Sequence, residues 1–404
     1  MRGQRFWAGM LVLAAIGRPS SARACGGFFC DGGAAPPVQS SERVIFTHRD
    51  GVVTAYVQIQ YQGDPDNFAW VIPVPALPRL GTASPAIFDA MDQLTAPTFE
   101  FHYRDRVETI KDDASGGCGN GGPRATTSYR DRTDSGSNVR VIGMSSVGPF
   151  ETTTITSDNP NTIANWLVDH GYRLPRDADV ILADYVRRRS YFVALRLRSD
   201  ATSGTLAPIV LSYVGDEPCI PLKITALAST DVLDVTTFLV SRGRAVSTTY
   251  GEALPRYNLV RPVPGGVGGA PTTYWLVAQD AVREAGGRAF VTELATPVSR
   301  LAGDPLAEPV RELLAEGPYL TRLFTRIRRE DMLADPGFSY RDDLVDVGNR
   351  HPVDLSDQPA FGRVFRVRVP GTALALAPFP LVGLALWRRR CARRPAGPRS
   401  PRAF

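Results

Sequence analysis

Lysine is almost absent from this 404-residue chain: of its 46 basic residues only Lys111 and Lys223 are lysine, and 44 are arginine. A phosphate-cradling P-loop needs a lysine directly after a glycine-rich turn, and neither lysine follows one. Histidine is nearly as scarce. His48, His102, His170 and His351 are the only four, and none forms H-E-x-x-H or another ligand pair at helical spacing. No G-x-S-x-G elbow occurs, so the exposed serine of an α/β-hydrolase has no candidate. The glycines at 116–122 lack a strand before and a helix after, which removes a dinucleotide loop. Acidic residues are missing from both ends: residues 1–24 carry four arginines, residues 388–404 carry seven, and neither stretch holds an acid. The formal charge of +5 therefore sits at the termini, and residues 25–387 hold 35 basic against 41 acidic side chains. A mildly acidic body argues against a globular nucleic-acid binder. Arginine forks suit phosphate recognition, but here they are spread through the whole body, as a compositional bias would spread them.

The ends themselves are informative. Arg2 and Arg5 precede an apolar run from Phe6 to Ile16, and Ala22-Arg23-Ala24 follows as an A-x-A cleavage site. This is the order of a secretory signal peptide over 1–24, with an apolar stretch too short to span a bilayer. The mature chain would begin at Cys25, where acylation is an alternative disfavoured by Ala22 and Arg23. At the other end no charge occurs from Val369 to Trp387, 19 residues, or about 28 Å as a helix. Arginines crowd directly after Trp387, so the pattern predicts a transmembrane helix over 369–387 with 388–404 as a basic cytoplasmic tail. Pro370, Pro378 and Pro380 weaken a straight helix there. A processed sorting signal is the alternative, since Val369-Pro370, the apolar span and the arginine cluster resemble the Pro-Glu-Pro type, with Gly371 in place of the glutamate. The body, 25–368, is then expected in the periplasm or at the cell surface.

Five cysteines are present. Cys391 lies among the tail arginines, and Cys25, Cys30, Cys118 and Cys219 lie in the exported body. An even number in an oxidising compartment predicts disulfides. Of the three pairings, Cys25–Cys30 with Cys118–Cys219 is expected. Zinc is disfavoured, because C-x₄-C stands alone with no histidine beside any cysteine.

Along the body, period-2 alternation of Val53, Ala55, Val57, Ile59 and Tyr61 with polar neighbours predicts a strand with one face buried. Asp50-Gly51 supplies a hairpin turn to the strand before it. Ser84-Pro85 and Asn159-Pro160 open helices, and a short helix covers 177–188 with Arg187, Arg188 and Arg189 suited to its C-terminal dipole. Strands are expected at 190–198, with Phe192, Ala194 and Arg196 on a less buried face, and at 220–228 and 272–278. Leu320, Leu323, Phe324 and Ile327 at i, i+3, i+4, i+7 predict a helix over 318–334, and 335–361 is expected as loops. The sum is an α+β fold of antiparallel-leaning β-sheets with a few covering helices plus the C-terminal transmembrane helix, with two subdomains meeting near 157–190 as one arrangement.

Chemistry is harder to find. Asp64, Asp66 and Asn67 offer three oxygen side chains in a turn, a calcium candidate weaker than a plain Asx turn. Asp112-Asp113 and Asp342-Asp343 are further carboxylate pairs without a fixed partner. The run Phe68 to Pro75 either lines a groove for an extended ligand or, as expected, places Trp70 in the core. No cofactor is expected.

Several stretches together resemble the uncharacterised bacterial exported family called domain of unknown function 2330. They are C-G-G-F-F-C at 25–30, V-Q-I-Q-Y-Q-G at 57–63, F-A-W-V-I-P-V-P at 68–75, I-P-L-K-I-T-A at 220–226, G-G-R-A-F-V-T-E at 286–293 and P-Y-L-T-R-L-F-T-R-I-R-R-E-D-M-L-A-D-P at 318–336. The resemblance implies an exported envelope protein and no activity or catalytic residue. It also implies that a cation is wanted at Lys223. The expected function is a non-enzymatic, membrane-anchored envelope protein that binds an extracytoplasmic protein or envelope ligand. The alternative is an exported hydrolase with a carboxylate-based or calcium-dependent site drawing on Asp64, Asp66 or Asp342.

Overall fold

A computed structural model describes residues 38–62, 69–103, 106–109, 139–172, 174–175, 178–197, 206–227, 229–263, 272–301, 306, 308–358 and 364–367. In chain order the elements begin with β1 (Val38–Arg49), β2 (Val52–Gln62), β3 (Ala69–Val74), β4 (Arg79–Thr82), α1 (Ala86–Thr95), β5 (Thr98–His102) and β6 (Arg106–Thr109). Next come β7 (Arg140–Val147), β8 (Phe150–Thr156), α2 (Pro160–Asp169), α3 (Ala178–Arg187), β9 (Tyr191–Leu197), β10 (Ile209–Val214), α4 (Leu222–Thr225), β11 (Ser229–Ser241), β12 (Arg244–Ser247) and β13 (Gly251–Glu252). The chain continues through α5 (Tyr274–Glu284), β14 (Ala289–Pro297), α6 (Glu308–Leu314), β15 (Tyr319–Arg328), β16 (Phe338–Arg341), β17 (Arg350–Asp354) and β18 (Val364–Val367).

Two sheets carry the fold. The larger has eight strands in the order β13-β14-β15-β11-β1-β2-β10-β4, and the smaller has four, β3-β9-β8-β7. Strand β1 is the hub of the large sheet, antiparallel to β2 and parallel to β11. Its hairpin to β2 closes through Asp50 and Gly51, both at positive φ, a tight turn whose twist matches the strands. The sheets pack face to face. Val44 and Phe46 of β1, and Val53, Ala55, Val57 and Ile59 of β2, meet Trp70 and Ile72 of β3 and Val193 and Leu195 of β9 in one core.

Helices cover both outer faces. On the small sheet, Ile163, Trp166 and Leu167 of α2 and Leu182 and Val186 of α3 pack on Val71, Phe192 and Ala194. On the large sheet, Ile87, Phe88 and Met91 of α1 and Leu313 and Leu314 of α6 pack on Ile45, Phe238 and Leu320, and α5 packs on Ala289 and Val291. The result is four layers, helices–sheet–sheet–helices, each face of each sheet finding an apolar partner.

The expected fold class is corrected here. The described chain is mostly β-sheet with six helices rather than an α+β body ending in a transmembrane helix. None of these helices is long and apolar enough to cross a membrane. They run from 4 to 11 residues, against roughly 20 for a span. The expected span at 369–387 and tail at 388–404 lie outside the described residues, as does the expected signal peptide at 1–24.

Among the smaller corrections, the two at β9 and β15 come from burial on both faces. The segment expected as a helix over 318–334 contains β15, which lies between β14 and β11. Leu320 serves the helix-covered face and Leu323 and Ile327 the inter-sheet face, so a doubly buried strand imitated a helical stripe. Phe192 and Ala194 of β9 are buried under α2 and α3, not less buried. Residues expected as a strand at 272–278 open α5, where Ala278, Ala281 and Val282 share a buried face. Within 220–228, Pro221 precedes the short α4. The expected loops at 335–361 contain β16 and β17, fixed by pairing with β12 and β5.

A buried charge network fixes α1 to the large sheet. Arg322 of β15 donates from Nε to Glu293 of β14 and from Nη1 to Asp92 of α1 at 2.6 Å and Thr95 at 3.0 Å. Asp92 also accepts from Arg43 of β1 at 2.6 Å. Glu293 is 1% exposed and Arg322 6%. Removing one partner of a buried pair strands the other, at a loss of roughly 3–5 kcal/mol. Arg322→Ala should lower the unfolding free energy by that amount in chemical denaturation. A loss below about 1 kcal/mol would show that the sheet and α1 do not depend on this network.

Candidate functional site

The core between the sheets does not close at one end of β1. A cavity of about 350 Å³ remains there, within the size range of small-ligand sites. Its walls are apolar: Val44 and Phe46 of β1, Ala55 and Val57 of β2, Ile72 and Val74 of β3, and Leu211 of β10. Pro73 and Pro75 complete the small-sheet side, and Ile220 and Pro221 line it from the segment after β10. Asp216 and Glu217, both exposed, line this cavity and also a wider open groove of about 1210 Å³ beside the β1–β2 turn. They form the rim where the two meet.

Glu42 stands out among the lining residues. It is in phase with Val44 and Phe46, so it points from β1 into the space between the sheets, and it is 3% exposed. Its Oε2 accepts one hydrogen bond, from Gln39 Nε2 at 2.9 Å. No described residue donates to Oε1. Burial of the charged form pushes its carboxyl from the ordinary 4.5 up to about 7, with the Gln39 amide acting weakly against it. A carboxyl in an apolar pocket with a near-neutral pKa is a feature of functional sites.

Asp335 forms the opposite, polar corner. Its Oδ1 accepts from the Tyr185 hydroxyl at 3.0 Å and from the Lys223 backbone N–H at 2.9 Å. Arg188 approaches Oδ2 at 3.7 Å. Burial raises the Asp335 pKa, and these hydrogen bonds and nearby cations oppose the rise. The Lys223 Nζ reaches Asp184 at 2.5 Å, and Asp184 also takes Arg187 and Arg188 at 2.9 Å. The hydrogen bond from Lys223 leads the causes that hold Asp184 below its usual value. A short ladder brings the pieces together: Ile220 N donates to Pro336 O, and Phe338 N to Pro218 O. V-I-P-V-P, I-P-L-K and A-D-P, from three of the stretches quoted above, therefore meet at one cavity.

Cys219 lines the same cavity. Among the described residues its thiol has no disulfide partner, and burial pushes its pKa well up, with the Asp335 and Glu217 charges adding. Such a thiol is a poor nucleophile. Its expected disulfide partner Cys118, and Cys25 and Cys30, lie outside the described residues. So do the calcium candidates Asp64, Asp66 and Asn67, and the pair Asp112-Asp113. Among the described residues no three His, Cys, Asp or Glu side chains are grouped to hold a metal ion.

The other candidates scatter. Asp342 lines neither cavity, and Asp343 pairs with Arg341. His170 caps α2, its ring stacked on Trp166 at 3.9 Å. His351 stacks on Tyr257 at 3.7 Å, and His102 is exposed on β5. His48 lies in the open groove, 5.6 Å from the Tyr340 ring. Trp70 is buried in the core, as expected, while Pro73 and Pro75 from the same run face the cavity. Arg188, expected only to serve the α3 dipole, reaches Asp335 and the cavity wall. Glu42 was missed at the sequence level, yet its phase with Val44 and Phe46 marks it as inward.

The chain belongs to the DUF2330 family, described as an uncharacterized protein conserved in bacteria, whose model matches residues 19–338. No curated protein matches it. Among solved structures, baculovirus P35 and a mutated baculovirus P35 after caspase cleavage align at 9% identity. They cover 77% of this chain and 97% and 99% of their own, with a TM-score of 0.29, too low to carry any argument about fold or function.

The Glu42 pKa makes a stability prediction. Its folded value lies above the ordinary 4.5, so the native state holds this proton more tightly than the unfolded chain. The resulting stability is fully present below about pH 4.5 and is lost as pH rises through about 7, up to about 3 kcal/mol in all. Glu42→Gln keeps the shape and removes the titration. It should be more stable than the parent at about pH 8, by up to that amount, and close to it near pH 4.5. A variant less stable than the parent at the higher pH would show that the carboxylate is paired and structural.

Proposed function

We propose that this family member is an exported binding module that takes one small, largely apolar ligand into the cavity between its two sheets. The observation that carries this is the cavity itself: an apolar space between close-packed layers, lined by a buried carboxyl to which one described residue, Gln39, donates. Close packing normally leaves few voids larger than a water molecule, so a cavity of about 350 Å³ with one placed polar group fits a ligand site. The surrounding polar corner supports binding over group transfer. The Asp335 Oδ1 is taken by Tyr185 and Lys223, and the Cys219 thiol is held protonated. Export rests on the order of charged, apolar and small residues in 1–24.

The test uses protein collected from outside the inner membrane, expected to begin at Cys25; retention inside the cytoplasm with residues 1–24 intact contradicts export. A neutral apolar fluorophore, N-phenylnaphthylamine, should bind saturably at one site per chain. Ala55→Phe places a ring in the void and should abolish that binding while the melting temperature holds or rises, since the added volume fills space rather than overpacks it. Absence of saturable binding, or equal binding by a folded Ala55→Phe variant, contradicts the proposal.

A further inference from the structure

We infer that the ligand is a cationic amphiphile, an amine on an apolar body, whose ammonium group pairs with Glu42 at the inner end of the cavity. This rests on the cavity being a ligand site and adds the chemical class of its occupant.

The geometry supplies a row. Glu42, Val44 and Phe46 are alternate residues on one face of β1, a stretch of about 13 Å at roughly 3.3 Å per residue. Ala55 and Val57 of β2 stand opposite Phe46 and Val44, and Leu211 of β10 stands beside Ala55. The rim acids lie beyond the Phe46 end, because Gly215 bonds to Gly51 at the β1–β2 turn. An elongated ligand entering past Asp216 and Glu217 would run along apolar wall and reach Glu42 last.

The charges decide the sign of the ligand. Among the described residues the cavity is lined by four acids, Glu42, Asp216, Glu217 and Asp335, and by one base, Arg188. Arg188 is engaged with Asp184 and Asp335, so no free cation of the described residues faces a ligand. A carboxylate or phosphate would meet only like charge. Glu42 has the opposite need: it is 3% exposed, it accepts one hydrogen bond, from a neutral amide, and no other described residue donates to it. A buried carboxylate gains from a paired cation what it lost on leaving water. The exposed acids at the rim would draw a cation in before it reaches that partner.

The experiment is titration calorimetry of the exported protein with octylamine, octanol and octanoate, at about pH 8 where both Glu42 and the amine can carry charge. Octylamine should bind roughly ten-fold or more tighter than octanol, and octanoate more weakly than octanol. Glu42→Gln should bring octylamine down to the level of octanol while leaving octanol unchanged, which also reports that the variant is folded. Octanol binding without an amine preference, or an amine preference that survives Glu42→Gln, overturns the cationic assignment and leaves the cavity as a site. Failure of all three probes overturns the cavity reading and this inference together.

Discussion

The whole molecule depends on how the four-stranded sheet sits on the eight-stranded one. Two sheets packed face to face share a core about 10 Å thick, and here that core draws on residues from Val44 to Phe338. Apolar packing holds most of it. At the corner where Asp335 lies, hydrogen bonds replace packing. Asp335 follows the large sheet's β15, and its partners Tyr185 and Lys223 come from α3, over the small sheet, and from α4. The layers are thus tied together at a polar corner, with the cavity beside it. Small or rigid wall residues, Ala55, Pro73 and Pro75, do not fill the space between.

A carboxyl held in such a space stands against stability. Buried polar groups are normally hydrogen-bonded, and buried charges paired. Asp335 follows that rule with a hydroxyl and a backbone amide. Arg322 and Glu293 follow it too, on the far face of the large sheet. Glu42 does not, since among the described residues a single amide answers it. Natural folds break local rules mainly at functional sites, and the contrast between these carboxyls is what supports the proposed site.

Much of this was legible in the sequence where one period dominates. The Asp50-Gly51 turn, the alternation from Val53 to Ile59, and the Asn159 cap of α2 all form where local chemistry points. Two failures came where burial erased the period. Strand β15 is covered on both faces, so Leu320, Leu323, Phe324 and Ile327 read as a helix. Strand β9 is likewise covered twice. The expected transmembrane helix rests on an uncharged run and the arginines after it, and no described helix is long and apolar enough to cross a membrane. The site was legible only in part: Glu42 is in phase with buried neighbours and can be marked as inward from sequence. Its partners cannot. Tyr185, Lys223 and Asp335 are joined by packing of sheets and helices that no local spacing encodes. Cys219, named in the sequence as a disulfide candidate, lies on the cavity wall, and its expected partner Cys118 lies outside the described residues.

The central claim is that a ligand-accessible apolar cavity lies between the sheets beside Glu42. Diffraction from crystals under xenon pressure tests it most directly, because dry apolar cavities take up xenon. The account predicts a xenon site among Val57, Ile72 and Leu211, within the space that Glu42 lines. Continuous protein density through that space, with no xenon bound, would contradict it.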